Sequence, residues 1–304
     1  MKTCITSILC GAALALSLAP TPTRAETARD SMIVSTAWLA QHLNDPNLVL
    51  FHVGAETEYP AEHIRGARFL GLRAISNDEK EPGALSLEMS SPEKLHAQLE
   101  ALGIADDSRV IVYGAKDWIS PPTRAVFTFL YAGLENVSML DGGLEAWKKE
   151  GREVTASIPP AAKGKLSPLK IKPLLADAAF VQSHTNTPGF VVIDARDALF
   201  YDGVQQGGRM EHHMAGHIPG SKSLPFEQVN GDDLKLKPAA ELEAIFAKAG
   251  VKPGDTVIGY CHVGQQATAM LFAARSLGHP VLLYDGSYED WARRGLPIDN
   301  PAKK

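Results

Sequence analysis

Cysteine is scarce in this chain, with three in 304 residues: Cys4, Cys10 and Cys261. Long apolar runs and clustered basic charge are also missing. The most apolar stretch, residues 4–19, falls short of the roughly 20 residues a bilayer span needs. No basic run with interleaved aromatics occurs, which argues against nucleic acid as a partner. What is present suits a folded protein. Hydrophobic residues make up 45% and charged residues 21%, which excludes the disordered and fibrous classes. The length suits two domains of about 100–150 residues.

The first 25 residues, "MKTCITSILCGAALALSLAPTPTRA", have the three parts of a secretory signal. Lys2 gives the positive end, residues 4–19 the apolar run, and Thr23-Arg24-Ala25 a site of mostly small residues. Cleavage is expected after Ala25, with export to a bacterial periplasm or secretion and no stable membrane insertion afterwards. Ile8 and Leu9 lack the small residue that a lipid-attachment site at Cys10 needs. Cleavage removes Lys2 and Arg24 and no acid, so the net charge of −5 becomes more negative by those two charges. It also removes Cys4 and Cys10. The remaining Cys261 cannot form an internal disulfide, and a lone exported thiol invites oxidation or mispairing. The bland alternative is a buried structural sulfur.

One pattern occurs twice. "NLVLFHVG", "AEHIRGARFL", "DSRVIVYG" and "NVSMLDGGLEAW" are followed by "GFVVIDAR", "AGHIPGSKSLP", "GDTVIGYC" and "PVLLYDGSYEDW". His63 thereby pairs with His217, Tyr113 with Tyr260, Asp141 with Asp285 and Trp147 with Trp291. Repetition over about 150 residues indicates a duplicated domain rather than a solenoid. Each copy alternates short apolar strands with longer helical patterns, as in a parallel sheet covered on both faces. The expected class is α/β, with two tandem domains at residues 31–155 and 169–300. The Pro-, Ala- and Lys-rich stretch 156–168 reads as an exposed linker.

Cys261 ends the apolar run "TVIGY", and residues 262–267 lead into the helical pattern "TAMLFAARSLG". Ligand sites in open α/β sheets gather at the carboxyl ends of strands. Gly264 permits a tight turn, so successive backbone N–H groups can converge on the sulfur. The helix N-terminus adds partial positive charge that lowers a thiol pKa and stabilises an anion. A metal site is the rival, but it would need His212, His213 or His217 to converge on the one cysteine. No metal is expected.

At these residues the chain resembles the two-domain form of the rhodanese family of sulfurtransferases. "AGHIPGS" at 215–221, the Cys261–Ala267 loop and "DGSYEDWARRGLPI" carry the resemblance, which spans essentially the whole mature chain. It implies two tandem rhodanese-like domains, each a mainly parallel sheet flanked by helices, with the second one catalytic. It further implies a Cys261 persulfide as the covalent intermediate and no other cofactor. The thiolate takes the outer sulfur of a donor such as thiosulfate, and cyanide or a thiol removes it. The substrate-binding loop would be His262, Val263, Gly264, Gln265, Gln266 and Ala267. Asp194 and Arg196 match the family's strand-end motif, and their reading is an ion pair bracing the loop. Gly114 stands where the first copy would need the cysteine, which implies a non-catalytic domain walling the cleft. Asp117 and Arg124 are candidates to face that cleft, with a solvated acid and an exposed or packing arginine as equal readings.

The departures concern substrate. His-Val-Gly-Gln-Gln-Ala is neither the basic loop of many thiosulfate users nor the Gly-Ser-Gly type of mercaptopyruvate users. Phe200 replaces the arginine that usually helps bind the anionic donor, and Arg209 is the candidate substitute. His217 is expected to be structural, His212 and His213 solvated, and Trp147 and Trp291 core anchors. Two rivals to the sulfurtransferase remain. One is a non-turnover carrier of sulfur, selenium or a soft metal. The other is a Cys-dependent phosphatase or arsenate reductase, disfavoured because Ala267 sits where its arginine belongs. A repeat that completes its own cleft suits a monomer.

Overall fold

The computed structural model describes residue 1 and residues 24–77, 80, 83–115, 119–207 and 215–303. The first domain opens with helix α1 (Arg24–Met32), β1 (Ile33–Val34) and α2 (Thr36–His42). Strands β2 (Leu48–Val53), β3 (His63–Ile64) and β4 (Arg68–Phe69) follow, then α3 (Pro92–Ala101), β5 (Arg109–Gly114) and α4 (Ser120–Tyr131). Strand β6 (Val137–Leu140), α5 (Gly143–Lys149) and β7 (Val154–Thr155) complete it. Ser35 and Ser91 start α2 and α3 by accepting the N–H groups of Trp38 and Lys94. The sheet is parallel throughout, in the order β1-β6-β5-β2-β4, and β3 pairs with β7 in a separate antiparallel ribbon.

The second domain repeats the plan with β8 (Leu175–Ala176), α6 (Ala178–His184), β9 (Phe190–Asp194), α7 (Ala198–Tyr201) and β10 (Lys222–Ser223). Helix α8 (Ala239–Lys248), β11 (Thr256–Tyr260), α9 (Gln266–Ser276), β12 (Val281–Tyr284) and α10 (Ser287–Arg293) follow. Its parallel sheet runs β10-β9-β11-β12-β8, the same order element for element. The tandem α/β expectation holds.

Alternation along the strands decides the layering. Val49, Phe51 and Val53 face one way, into a core shared with the second domain, while Leu50 faces the other. On the second sheet Val257 faces the shared core, whereas Ile258 and Tyr260 face a cluster built on Val181, Tyr284 and Trp291. The shared core is closed by α4 and α9, which pack against each other and are buried nearly all round. Gly259 lets α9 lie close on β11, since a Cβ there would come 2.8 Å from Leu271 Cγ. Each fully buried Leu, Val or Phe along this interface stabilises docking by roughly 1.5–3 kcal/mol.

Between the domains, residues 156–168 form no helix or strand and are mostly exposed. They are nonetheless anchored. Gly164 N–H donates to Glu100 O (2.7 Å), Leu166 N–H to Glu100 Oε1 (3.0 Å) and Ser167 N–H to Asp106 Oδ1 (2.8 Å). Leu166 is buried. Most of the expected signal segment lies outside the described residues, and Arg24 and Ala25 form the start of α1.

Candidate active site

Strand β11 delivers Cys261 to the end of the second sheet, where it is fully buried. Its backbone is held on both sides. Cys261 N–H donates to Ser287 Oγ (3.2 Å), Ser287 Oγ donates to Tyr284 O (2.8 Å), and Tyr288 N–H donates to Cys261 O (3.0 Å). Ser287 is itself in the left-handed region, at φ 51°. A serine there accepts backbone strain, which points to a use for its hydroxyl.

Beyond Cys261, His262, Val263, Gln265 and Gln266 form a half-buried rim, while Gly264 and Ala267 are buried. Gly264 turns the loop at φ 79°, and a Cβ there would meet Asp285 O at 2.7 Å. Among the described residues, no backbone carbonyl accepts the N–H groups of Val263, Gly264, Gln265, Gln266 or Ala267. This run of free donors opens α9, an eleven-residue helix, so its positive end lies beside the thiol. Gln265 Nε2 donates to Ser120 Oγ of the first domain (3.2 Å), and Gln266 Oε1 is buried without a partner. Phe200 sets its ring edge-on against His262 at 4.6 Å. An open groove of about 610 Å³ between the domains passes Glu88, Met89, Asp285 and Arg294, and Cys261 does not line it.

Asp194 and Arg196 form a fully buried ion pair at the end of β9, the strand beside β11, with Arg196 Nη2 2.6 Å from Asp194 Oδ2. Arg196 also donates to Gly216 O (2.7 Å) and stacks over Tyr288 at 4.0 Å and Tyr260 at 5.9 Å. Burial alone pulls the guanidinium pKa down, but the Asp194 charge and its hydrogen bonds hold it above the ordinary value. Burial pushes Tyr288 up to about 12. Both Asp194 oxygens are directed at Arg196, so the pair braces the strand end. His217 Nδ1 lies 2.8 Å from Tyr201 O, a carbonyl that only accepts, so Nδ1 is the donor, and the ring stacks on Tyr201. His217 is a structural residue, as His63 is against Tyr59. Trp147 and Trp291 are buried, and their indoles donate to Glu153 O and Pro297 O. Arg209, His212, His213 and Asp117 lie outside the described residues. Among the described residues no cluster of three or more His, Cys, Asp or Glu side chains is placed to hold a metal.

The first domain keeps the frame but has no thiol at the matching strand end. Gly114 ends β5 where Cys261 follows β11, and His52 takes the sheet position of Asp194. Gly143, at φ 57°, occupies the turn position of Ser287, and a Cβ there would come 2.5 Å from Gly114 O. Three residues near the thiol escaped the sequence reading: Ser287, Asp285 and the full role of Arg124. The contrast of "DGG" with "DGS" in the two repeats was a usable signal for Ser287.

The fold is that of a duplicated α/β protein, with a thiol at this strand end in the second half and a glycine in the first. The Rhodanese-like domain family matches it twice, over residues 35–150 and 177–294. The chain is 32% identical over 285 residues to the 3-mercaptopyruvate sulfurtransferase of Escherichia coli, covering 88% of this chain and 97% of that one. It is 29% identical over 288 residues to the sulfur carrier protein TtuD of Thermus thermophilus, covering 89% and 97%. The crystal structure of SseA from Escherichia coli, a 3-mercaptopyruvate sulfotransferase with the rhodanese fold, superimposes with a TM-score of 0.74. It is 28% identical, covering 84% of this chain and 98% of that one. The chain belongs to the rhodanese family and carries two rhodanese-like domains.

Proposed function

We propose that the chain moves a sulfane sulfur from a small donor to a thiophilic acceptor through a persulfide on Cys261. It is a sulfurtransferase. The observation that carries the Cys261 assignment is the thiol at the carboxyl end of β11, beside the free N–H groups that open α9. With thiosulfate, the Cys261 thiolate attacks the outer sulfur, the sulfur–sulfur bond breaks, and sulfite leaves with the electron pair. The terminal persulfide sulfur is anionic and is stabilised by the N–H run and the helix end. Cyanide or a thiolate then attacks that sulfur, takes it as thiocyanate or a new persulfide, and returns the Cys261 thiolate. No metal is required for either step.

The signal-like first 25 residues support export to the periplasm or secretion. No described helix is long and apolar enough to cross a membrane. A cleft completed within one chain supports a monomer.

The test is intact-mass measurement after thiosulfate or mercaptopyruvate, with a Cys261→Ser variant beside it. A gain of one sulfur confined to the unaltered protein is expected. Failure to gain sulfur from either donor or from another sulfane donor would remove the persulfide. The likeness to a sulfur carrier protein favours a second reading, in which the persulfide is passed on only to a partner. Sustained thiocyanate formation from thiosulfate and cyanide supports the first reading, and a stable persulfide without turnover supports the second.

A further inference from the structure

We propose that Arg124, on the domain without a reactive cysteine, is a positioning residue that sets the direction of the active-site loop. This rests on the reading of Cys261 as the sulfur-carrying thiol. Arg124 lies on α4, and its side chain is 1% exposed. Its Nη1 donates to Gly264 O in the cysteine loop (3.1 Å), and its Nη2 donates to Leu87 O (2.6 Å). Nη1 also lies 2.8 Å from Asp285 Oδ1. That contact is an ion pair by distance and not a directed hydrogen bond, since Oδ1 accepts none. Asp285 Oδ2 in turn accepts the Met89 N–H (2.7 Å). One guanidinium therefore joins the cysteine loop, the turn after β12, and residues 87–89 of the first domain.

The held atom is what matters chemically. In a trans peptide the C=O and the following N–H point in opposite directions. Fixing Gly264 O on Arg124 therefore sends the Gln265 N–H away from the guanidinium. That N–H belongs to the run without a backbone acceptor at the start of α9. Gly264 needs this anchor, because its φ of 79° leaves a glycine peptide otherwise free to turn. The first turn of α4 adds one more contact to the loop and one to the start of α9. Ser120 Oγ holds the Gln265 amide, and Thr123 Oγ1 meets Thr268 Oγ1 at 3.1 Å. The silent domain thus supplies the orientation, and the second domain supplies the sulfur.

Three variants test this: Arg124→Lys, Arg124→Met, and Arg124→Met combined with Asp285→Asn. Each is assayed for thermal melting, kcat and KM of sulfur transfer, and the pH profile of Cys261 alkylation by iodoacetamide. Arg124→Met leaves Asp285 without its cation and can fail to fold. The double variant removes that unpaired charge, while the asparagine carbonyl still accepts the Met89 N–H. We expect it to melt near the unaltered protein, with kcat down about 10- to 100-fold, as small misplacements at a reacting centre produce. The alkylation midpoint should move to higher pH. Arg124→Lys should fold but recover little rate, because one ammonium cannot reproduce the planar fork that serves Gly264 O and Leu87 O together. The lysine variant decides the question if neither Met variant folds. A folded variant with unchanged kcat and alkylation profile overturns the proposal. Alkylation reports on the loop even if no donor forms a persulfide, so failure of the sulfur-transfer reading is seen separately.

Discussion

Asp141 and Asp285 reach across the domain boundary in opposite directions. Asp141 Oδ1 accepts the N–H of Leu236 in the second domain (3.0 Å), and Asp285 Oδ2 accepts that of Met89 in the first (2.7 Å). Each follows the matching strand of its sheet, so the duplication carries a reciprocal clasp as well as a fold. The two ends then diverge. Asp285 is paired with buried Arg124, whereas burial raises the Asp141 pKa against the Leu236 N–H bond and the weaker attraction of Arg29 and Lys235.

A carboxylate held by burial above its usual pKa is destabilising when ionised, because the native state binds its proton more tightly than the unfolded one does. Its contribution is lost as pH rises through the raised value. Asp141→Asn keeps the acceptor for Leu236 N–H and removes the charge. It should match or slightly exceed the unaltered melting temperature at neutral pH. Asp141→Ala orphans a backbone donor and should cost about 1–3 kcal/mol. Calorimetry of the two variants checks this, and a large loss for Asn would show that the charge itself is needed.

Ser287 offers a sharper separation of stability from activity. Ser287→Gly relieves a left-handed backbone that costs an ordinary residue about 1–2 kcal/mol, but it loses the Oγ that holds Cys261 N–H. These effects oppose each other, so melting should change little while sulfur transfer falls several-fold. Ser287→Ala keeps the strain and loses the bond, and should be worse in both assays. Full transfer activity in the glycine variant would reduce Ser287 to a turn residue.

His52 is expected to make the stability of the first domain fall in acid. Burial chiefly, and the nearby His63, lower its pKa from 6.5 to about 4. Tyr113 OH lies 3.1 Å from Nδ1, and Nε2 is buried without a partner. Between pH 6.5 and 4 the unfolded chain binds a proton that the native chain refuses. Stability is therefore full above the unfolded value and falls as pH drops toward the native one, by up to about 3 kcal/mol. Melting curves across that window should show a smaller slope for His52→Asn than for the unaltered protein. Equal slopes would assign the acid sensitivity elsewhere.

Local signals made most of the fold legible. "LVLFHV", "VSML" and "TVIGY" are strands over those same residues, because short apolar runs bounded by turns leave little choice. Comparing the two repeats marked Gly114 against Cys261, the family resemblance implied a structural His217, and helical positions after "DGG" and "DGS" marked both tryptophans as core anchors. Long-range pairing left no such trace. Arg124 meets Gly264 across 140 positions in sequence, and an arginine in "SPPTR" has the same local pattern whether solvated or buried. The ribbon of β3 with β7 and the anchoring of Gly164 were invisible for the same reason. Each needs the chain to return, and two-residue strands carry no period.

Phe200 provides the last test, on donor charge. The family resemblance places an arginine here, and this chain has an aromatic ring edge-on to His262 at the rim of the loop. The fully buried cation just past the end of β9, Arg196, is committed to Asp194 and to Gly216 O, so it has little charge to offer a donor. Phe200→Arg should restore a cation beside the half-buried His262. One charge-assisted hydrogen bond to an anion contributes about 1.5–3 kcal/mol when well ordered, and solvent at the rim reduces it to roughly 1. The KM for thiosulfate, a dianion, should then fall about fivefold with kcat nearly unchanged. The effect should shrink as salt is added, because exposed charges are screened. An unchanged or higher KM at low salt would mean that the donor approaches Cys261 from another side, and that Phe200 shapes the mouth without reading its charge.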